Sequence, residues 1–469
     1  MEEENPTIIP QGKIHFDEMS DILISSIIEK LPLSSVALLS TTSKRMHRLC
    51  HDPQNWSDIE LNDSSQLITP YNIAVLCAKG SEIRHLSIDL HSKNVSLASL
   101  RLLSISCPSV ISLSLYYTSE YSMGTNVFPI NELISFLTNS KSVRSLRFTD
   151  STMIDDSHLV QVLPHLQMMR EIDLSGCITL SDSTLIKLAQ QCPSLQLLDI
   201  SRLPITGRCI EQIFRYCGGI KILRANNCSS FQTDSFLPVS PESLKGLTEL
   251  SVIGTPVSLE STLQHCTNLR SLLASLSLHD SILIPFLYTN RRLEVLHMGS
   301  GCRVTISSLI EAIQSCGQHL ISLTFHPFDT FAVPSDEIMR LICQSCPHLK
   351  NLSFAHSEEI STYWVMEVLK RLNLESLALF GWKNGNSSAL RLIAPHIGTL
   401  KMLCISECSK LTVPGVINFI LTSKTLKVLK LEETGVNLPS GNINPDVLNG
   451  IREQFPIAKE SSPGILFLQ

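Results

Sequence analysis

The stretch "GCITLSDSTLIKLAQQCPSLQLLDIS", Gly176 to Ser201, changes its apolar period midway. In its first part Leu185, Leu188 and Ala189 fall on one face of a helix that Ser181 or Asp182 can cap. In its last part Leu198 and Ile200 alternate with polar neighbours, the period of a half-buried strand. Cys177 and Cys192 punctuate the two halves, and thiols at such a spacing can bind a metal, pair as a disulfide or do redox chemistry.

The stretch returns along the chain. "CPSVISLSL" begins at Cys107, "CGGIKILRA" at Cys217 and "CPHLKNLSF" at Cys346. The shared kernel is L-x-x-L-x-L with any aliphatic residue at the L positions. Its first apolar residue recurs at Ile83, Val110, Val143, Met169, Leu195, Ile220, Leu247, Leu269, Leu293, Leu320, Leu349, Leu374, Leu400 and Leu426, after a degenerate copy at Trp56. The mean step is about 26 residues, the period of leucine-rich repeats. One strand and one helix cannot bury an apolar side alone, whereas stacked copies share a continuous core. The expected fold is α/β, a horseshoe solenoid with parallel strands on the concave side and helices on the convex side.

The repeat gives the cysteines an address. Cys107, Cys192, Cys217, Cys266 and Cys346 lie three residues before a kernel, and Cys177, Cys228 and Cys408 lie eight after one. A small, weakly polar thiol suits a tight buried corner, so these read as packing residues. The odd total of fifteen argues against a closed disulfide framework. Cys343 and Cys346 form an isolated C-x-x-C, and "HRLCH" offers His47, Cys50 and His51 without a clear fourth ligand, so no metal site is expected. No P-loop, G-x-S-x-G elbow, H-E-x-x-H or dinucleotide fingerprint is found, and no catalytic residue or cofactor is expected.

With 469 residues the chain exceeds one ordinary core, and its net charge of −6 offers no broad basic field for nucleic acid or anionic lipid. The start "MEEENPTIIPQGK" lacks a secretory layout, and no apolar run approaches the ~18 residues of a membrane span. The expectation is a cytoplasmic or nuclear protein, or both, acting on neither nucleic acid nor membrane.

Residues 16–61 differ from the rest. Leu23, Ile27 and Leu31 form a helical stripe that Ile24 and Ile28 widen, Pro32 ends that helix, and a second carries Val36 and Leu39. A third holds "SKRMHRL", whose Lys44, Arg45, His47 and Arg48 read as a solvated face rather than a nucleic-acid site. With "IIEKLPLSSVALLS" and "DPQNW" followed by "IEL", the segment resembles an F-box, the adaptor-binding module of Skp–cullin–F-box ubiquitin ligases. It departs from the family at Met19-Ser20, where Leu-Pro is usual, at Met46, often Trp, and at Thr42, usually apolar. An F-box followed by cysteine-containing leucine-rich repeats is itself a family architecture.

The resemblance implies a substrate-recognition subunit: a small three-helix F-box contacting a Skp-family adaptor, and through it cullin, with the repeats holding a protein substrate. The adaptor-binding residues it points to are Met19, Leu23, Ile27, Leu31, Pro32 and Leu39. The chain would divide into a flexible start (1–15), the F-box (16–61), about fourteen repeats (62–431) and a C-terminal cap or tail (432–469). A non-degradative scaffold with the same architecture is the alternative.

Alternation assigns residues two, four and six places after each kernel start to the open face. This places Arg147, Asp173, Asp199 and Arg224 there, among Glu171, Glu249 and exposed aliphatics, a mixture suited to a protein partner. Three loops interrupt the rhythm after strands and bring Tyr116, Tyr117, Tyr121, Phe328, Phe331 and Trp382 to one rim. Aromatic residues in such insertions are candidate substrate anchors.

Overall fold

In the computed structural model, residues 19–28, 31, 33–61, 70–90, 96–116, 129–276, 278–328, 332–438, 440–452, 454–455 and 458–468 are described. The chain divides into two compact units, residues 1–153 with 157–169, and residues 154–156 with 170–469.

The first unit opens with three helices, α1 (Asp21–Ile28), α2 (Leu33–Ser40) and α3 (Lys44–Cys50). Ser43 caps α3, its side chain accepting from the Met46 amide. A short 3-10 turn, Pro53–Trp56, leads into β1 (Asp58–Leu61). Helices α4 (Pro70–Ala78), α5 (Leu97–Ser106) and α6 (Ile130–Asn139) then alternate with β2 (His85–Asp89), β3 (Ser112–Tyr116) and β4 (Ser145–Thr149). Strands β1 to β4 pair parallel in order, and α5 packs between α4 and α6. Trp56, read from sequence as a degenerate kernel, is buried here, and its indole N–H donates to the Cys50 carbonyl at 2.8 Å.

The second unit repeats the pattern through β5 (Glu171–Asp173), β6 (Leu197–Asp199), β7 (Ile222–Arg224), β8 (Glu249–Val252), β9 (Ser271–Ala274) and β10 (Val295–Cys302). It continues with β11 (Ser322–Pro327), β12 (Asn351–Phe354), β13 (Ser376–Leu379), β14 (Met402–Ser406) and β15 (Val428–Glu432). Every step from β5 to β15 is parallel, and β16 (Lys459–Ser462) and β17 (Ile465–Phe467) close the series antiparallel, β17 against β15. The second kernel position makes one row across the sheet: Ile172, Leu198, Leu223, Leu250, Leu272, Leu296, Leu323, Leu352, Leu377, Leu403 and Leu429 are direct partners in turn. All are buried, so each strand commits this row to the core.

One helix starts where sequence places it, at Ser181 and Asp182, and residues at its start bond across to neighbouring repeats. The helix Asp182–Gln191 buries Leu185, Leu188 and Ala189. Ser181, at its N-cap, makes no side-chain cap bond to a backbone amide of its helix, and its hydroxyl instead donates to Asp156 at 2.7 Å. Asp182 in turn accepts from the Thr206 and Cys209 amides of the next repeat, and Asp280 accepts from Thr305 and Ser308 in the same manner. These carboxylates tie each helix start to its successor.

The thiols behave likewise. All fifteen cysteines carry thiols rather than disulfides, and thirteen are buried. Cys217 donates to the Cys192 carbonyl, Cys228 to Ile200 and Cys408 to Trp382, each one repeat away. Burial pushes Cys107, Cys192, Cys217 and Cys346 up to about 12, so they stay protonated and unreactive.

A further periodicity is absent from the kernel. The residue seven places after the kernel start adopts a left-handed backbone at Asp150, Gly176, Arg202, Asn227, Gly254, His356, Gly381, Glu407 and Glu433. The chain leaves these nine strands through this turn. Glycine takes it without strain, whereas Arg202 and Glu407 hold it at a cost of roughly 1–2 kcal/mol.

Candidate functional site

The three N-terminal helices bury one set of apolar residues and leave another outside. Ile24 and Ile28 of α1, Val36 of α2, and Met46, Leu49 and Cys50 of α3 form the small core. Leu23 is 54% exposed, Ile22 79% and Leu38 70%, while Met19, Ile27, Leu31 and Leu39 are half-buried. The stripe Leu23–Ile27–Leu31 therefore turns outward, and Ile24 and Ile28, which sequence assigned only to its margin, carry the packing. Pro32 lies outside the described residues.

Two departures noted in the sequence fall away from this outer stripe. Met46 is buried, so it fills the helix core. Thr42 is exposed and its hydroxyl donates to the Leu39 carbonyl at 2.8 Å, closing the end of α2. The basic face of α3 is structural in part: Asp21 accepts from Arg45 at 2.7 Å and from Arg48 at 2.6 Å, and Arg45 also donates to the Met19 carbonyl. The Arg45 hydrogen bond holds the Asp21 carboxyl below the usual range.

The open sheet face carries the residues proposed for substrate. In the first unit Arg147 is exposed and lines a groove of about 420 Å³ with Asp58, Glu60, His85 and Ser114. Tyr116 is half-buried, its hydroxyl donating to Glu60 at 2.8 Å across the strands. Tyr117 and Tyr121 lie outside the described residues.

In the second unit Asp173, Asp199 and Arg224 are partners on adjacent strands. Arg224 donates to Glu249 at 2.6 Å and lies 4.0 Å from Asp199. Asp199 is buried, and burial pushes its carboxyl up although the Ser201 hydroxyl and amide bonds oppose this. Ser201 itself is buried, its hydroxyl accepting from the Asn226 amide, so the position six places after the kernel start is tucked into the strand end here.

The loop aromatics divide. Phe328 is 74% exposed after β11, and Phe331 lies outside the described residues. Trp382 does not reach the rim. The chain turns at Gly381, at φ +73°, and Trp382 is fully buried with its indole N–H donating to the Ile360 carbonyl at 2.9 Å. It packs between repeats and is no surface anchor.

Sequence reasoning passed over two histidines on the same face. His297 and His326, on β10 and β11, have ring centroids 6.3 Å apart, and His326 sits edge-on to Phe380 and 2.8 Å from the Ser353 hydroxyl. Burial, then His297 and His356, brings His326 down to about 4, so it is neutral near pH 7. Both occupy outward positions four and six places after a kernel start, so the alternation rule reaches them. Among the described residues no cluster of three or more His, Cys, Asp or Glu is arranged to hold a metal, and no helix is long and apolar enough to cross a membrane.

An apolar-faced three-helix module ahead of stacked strand–helix repeats defines the class. The F-box domain family matches residues 16–58. Among solved structures, a chain of the Rad7 and Elc1 complex in yeast superposes with a TM-score of 0.54 at 17% identity, over 75% of this chain and 87% of that one. No curated protein matches the sequence significantly. The chain thus joins an N-terminal segment that matches the F-box domain family to a solenoid-like fold of repeated strands and helices.

Proposed function

We propose that this chain is the substrate-recognition subunit of a Skp–cullin–F-box type ubiquitin ligase, without catalytic residues of its own. The observation that carries this reading is the outward apolar stripe, Ile22, Leu23 and Leu38 exposed on helices whose opposite face is already packed. Such a surface in an F-box domain fits an adaptor. The likeness to a chain solved together with Elc1 supports a bound adaptor of that general kind. The repeats then hold a protein target near a ubiquitin-charged enzyme, and the gain in rate is proximity. Arg147, Asp173, Arg224, Tyr116 and Phe328 are the described residues proposed to face it. Such a complex works in the cytoplasm, the nucleus or both.

Ile27→Ala with Leu31→Ala removes about 2 kcal/mol of apolar burial per site, roughly thirtyfold in affinity each. Co-purification of a Skp adaptor and cullin should be lost, and Leu23→Ser, at an exposed position, should lose it without unfolding the helices. Wild-type protein that fails to bind adaptor at micromolar concentration would overturn the reading. Adaptor captured without cullin would instead make the chain a non-degradative scaffold.

A further inference from the structure

At the end of the second unit, lysines stand in a row along the edge where the strands begin. Lys350, Glu375, Lys401 and Lys427 occupy equivalent places before β12, β13, β14 and β15. Main-chain bonds fix them: Glu375 N–H donates to the Lys350 carbonyl at 2.7 Å, Lys401 to Glu375 at 2.8 Å and Lys427 to Lys401 at 2.7 Å. The Leu468 amide then donates to the Lys427 carbonyl at 2.8 Å, which ends the row against the C-terminal strand pair. At about 4.8 Å per strand the row spans roughly 14 Å.

The row borders an open cleft of about 720 Å³, with Lys424 on its lip and Leu426, Phe455 and Leu468 lining it. Glu375 pairs with Lys350 at 2.9 Å and with Lys401 at 2.6 Å. Their hydrogen bonds, Lys401 first, hold its carboxyl down to about 2, so it stays charged. Lys424 and Lys427 have no carboxylate partner among the described residues. Among the described lining residues, four lysines against one glutamate leave three positive charges beside Leu426, Phe455 and Leu468.

We propose that this cleft docks an extended, Asp/Glu-rich segment of a protein partner, with an apolar side chain seated near Phe455. The proposal names a substrate class for the repeats and so rests on the reading that they hold a protein. Ammonium groups are point charges, and without arginine the cleft lacks the planar fork that matches a single phosphate. A row some 14 Å long instead meets two or three carboxylates on one face of an extended chain, whose same-face side chains recur about every 6.8 Å. Glu375 within the row would lie against any continuous phosphate backbone, whereas a peptide can place a neutral residue there.

The test uses the purified full chain and a labelled peptide, (Glu-Leu-Asp-Gly) repeated three times, with its Gln/Asn counterpart and a 12-nucleotide single-stranded DNA. Carbodiimide coupling, which joins amines to adjacent carboxylates, should place the acidic peptide on Lys401, Lys424 or Lys427. Lys424→Ala with Lys427→Ala should weaken its binding about tenfold, while Lys187→Ala with Lys383→Ala leaves it unchanged. Both lysines of the first pair are exposed, and equal unfolding midpoints establish that the variant folds. Equal binding of the Gln/Asn peptide, adducts only elsewhere, or tighter DNA binding through the same lysines would each overturn the proposal. No adaptor is present, so failure here leaves the ligase reading standing, and loss of adaptor binding alone leaves this cleft standing.

Discussion

Asp21 at the start of α1 and Arg45 on α3 are joined by a charge-assisted hydrogen bond of 2.7 Å, and Arg48 adds a second ion pair to the same carboxylate, so α1 is tied to α3. The bond lowers the Asp21 carboxyl, so its contribution to folding is complete above the ordinary carboxylate range and fades as pH falls through the lower folded value. Asp21→Asn should therefore lower the unfolding midpoint at pH 7, and the gap from wild type should narrow as pH falls below the ordinary carboxylate range. Circular dichroism melts from pH 7 into the acid range check it, and a gap that does not narrow with falling pH would assign the effect to something other than charge.

Leu198 sits in the buried leucine row between Ile172 and Leu223. Leu198→Asp should cost more than about 4 kcal/mol, because the carboxylate has no partner there. Ser201→Asp, which alternation alone would rank as silent, should cost about 1–2 kcal/mol by placing a second carboxylate beside Asp199 and displacing the Asn226 bond. The half-buried, outward Leu197→Asp should stay within about 1 kcal/mol. Denaturant titrations give the order directly.

His326 predicts an acid-sensitive window. Its folded value of about 4 lies below the ordinary histidine value, so the unfolded chain takes up a proton that the folded chain refuses. Its contribution is whole above about pH 6.5 and is lost as pH falls toward 4, with a limiting slope of about 1.4 kcal/mol per pH unit. His326→Gln keeps a partner for Ser353 and should flatten that part of the stability profile. An unchanged profile would show that His326 titrates normally.

The thiols divide by burial. Short alkylation of native protein should label at most Cys77 and Cys343, the two half-buried cysteines, and all fifteen after denaturation. Burial raises Cys343 to about 11, so it should react the more slowly at neutral pH than an ordinary exposed thiol. Mass spectrometry of the labelled peptides counts them, and native labelling of Cys192 or Cys217 would contradict the packing described.

The strand–helix alternation was legible because each kernel obeys one period and each helix another, and Leu198 and Leu185 alone already show both. The helix of Ile24 and Ile28 was legible as amphipathic, but two apolar stripes on one helix cannot be ranked without knowing which one meets α3. Trp382 was misjudged because a loop's length gives no direction. Gly381 turns the chain inward, and the Ile360 carbonyl that receives the indole is twenty-two residues away. The left-handed turn at Arg202 and Glu407 was hidden since neither residue type favours it. The lysine row escaped notice because its members are one per repeat, and only stacking brings them together.

The leucine row has a cost in information. Leu223, Leu250, Leu272 and the rungs beyond them are chemically identical, so a strand that docked one place too far along would meet the same side chain in the same setting. The row rewards stacking without saying which repeat belongs on which. Order must come from exceptions: Asn290, whose side chain accepts from the Leu269 amide and donates to the Cys266 carbonyl, and Trp382 on Ile360. Such residues act as addresses during assembly, and their loss should register in refolding yield, through misordered stacks, more than in the stability of chains that reach the native order.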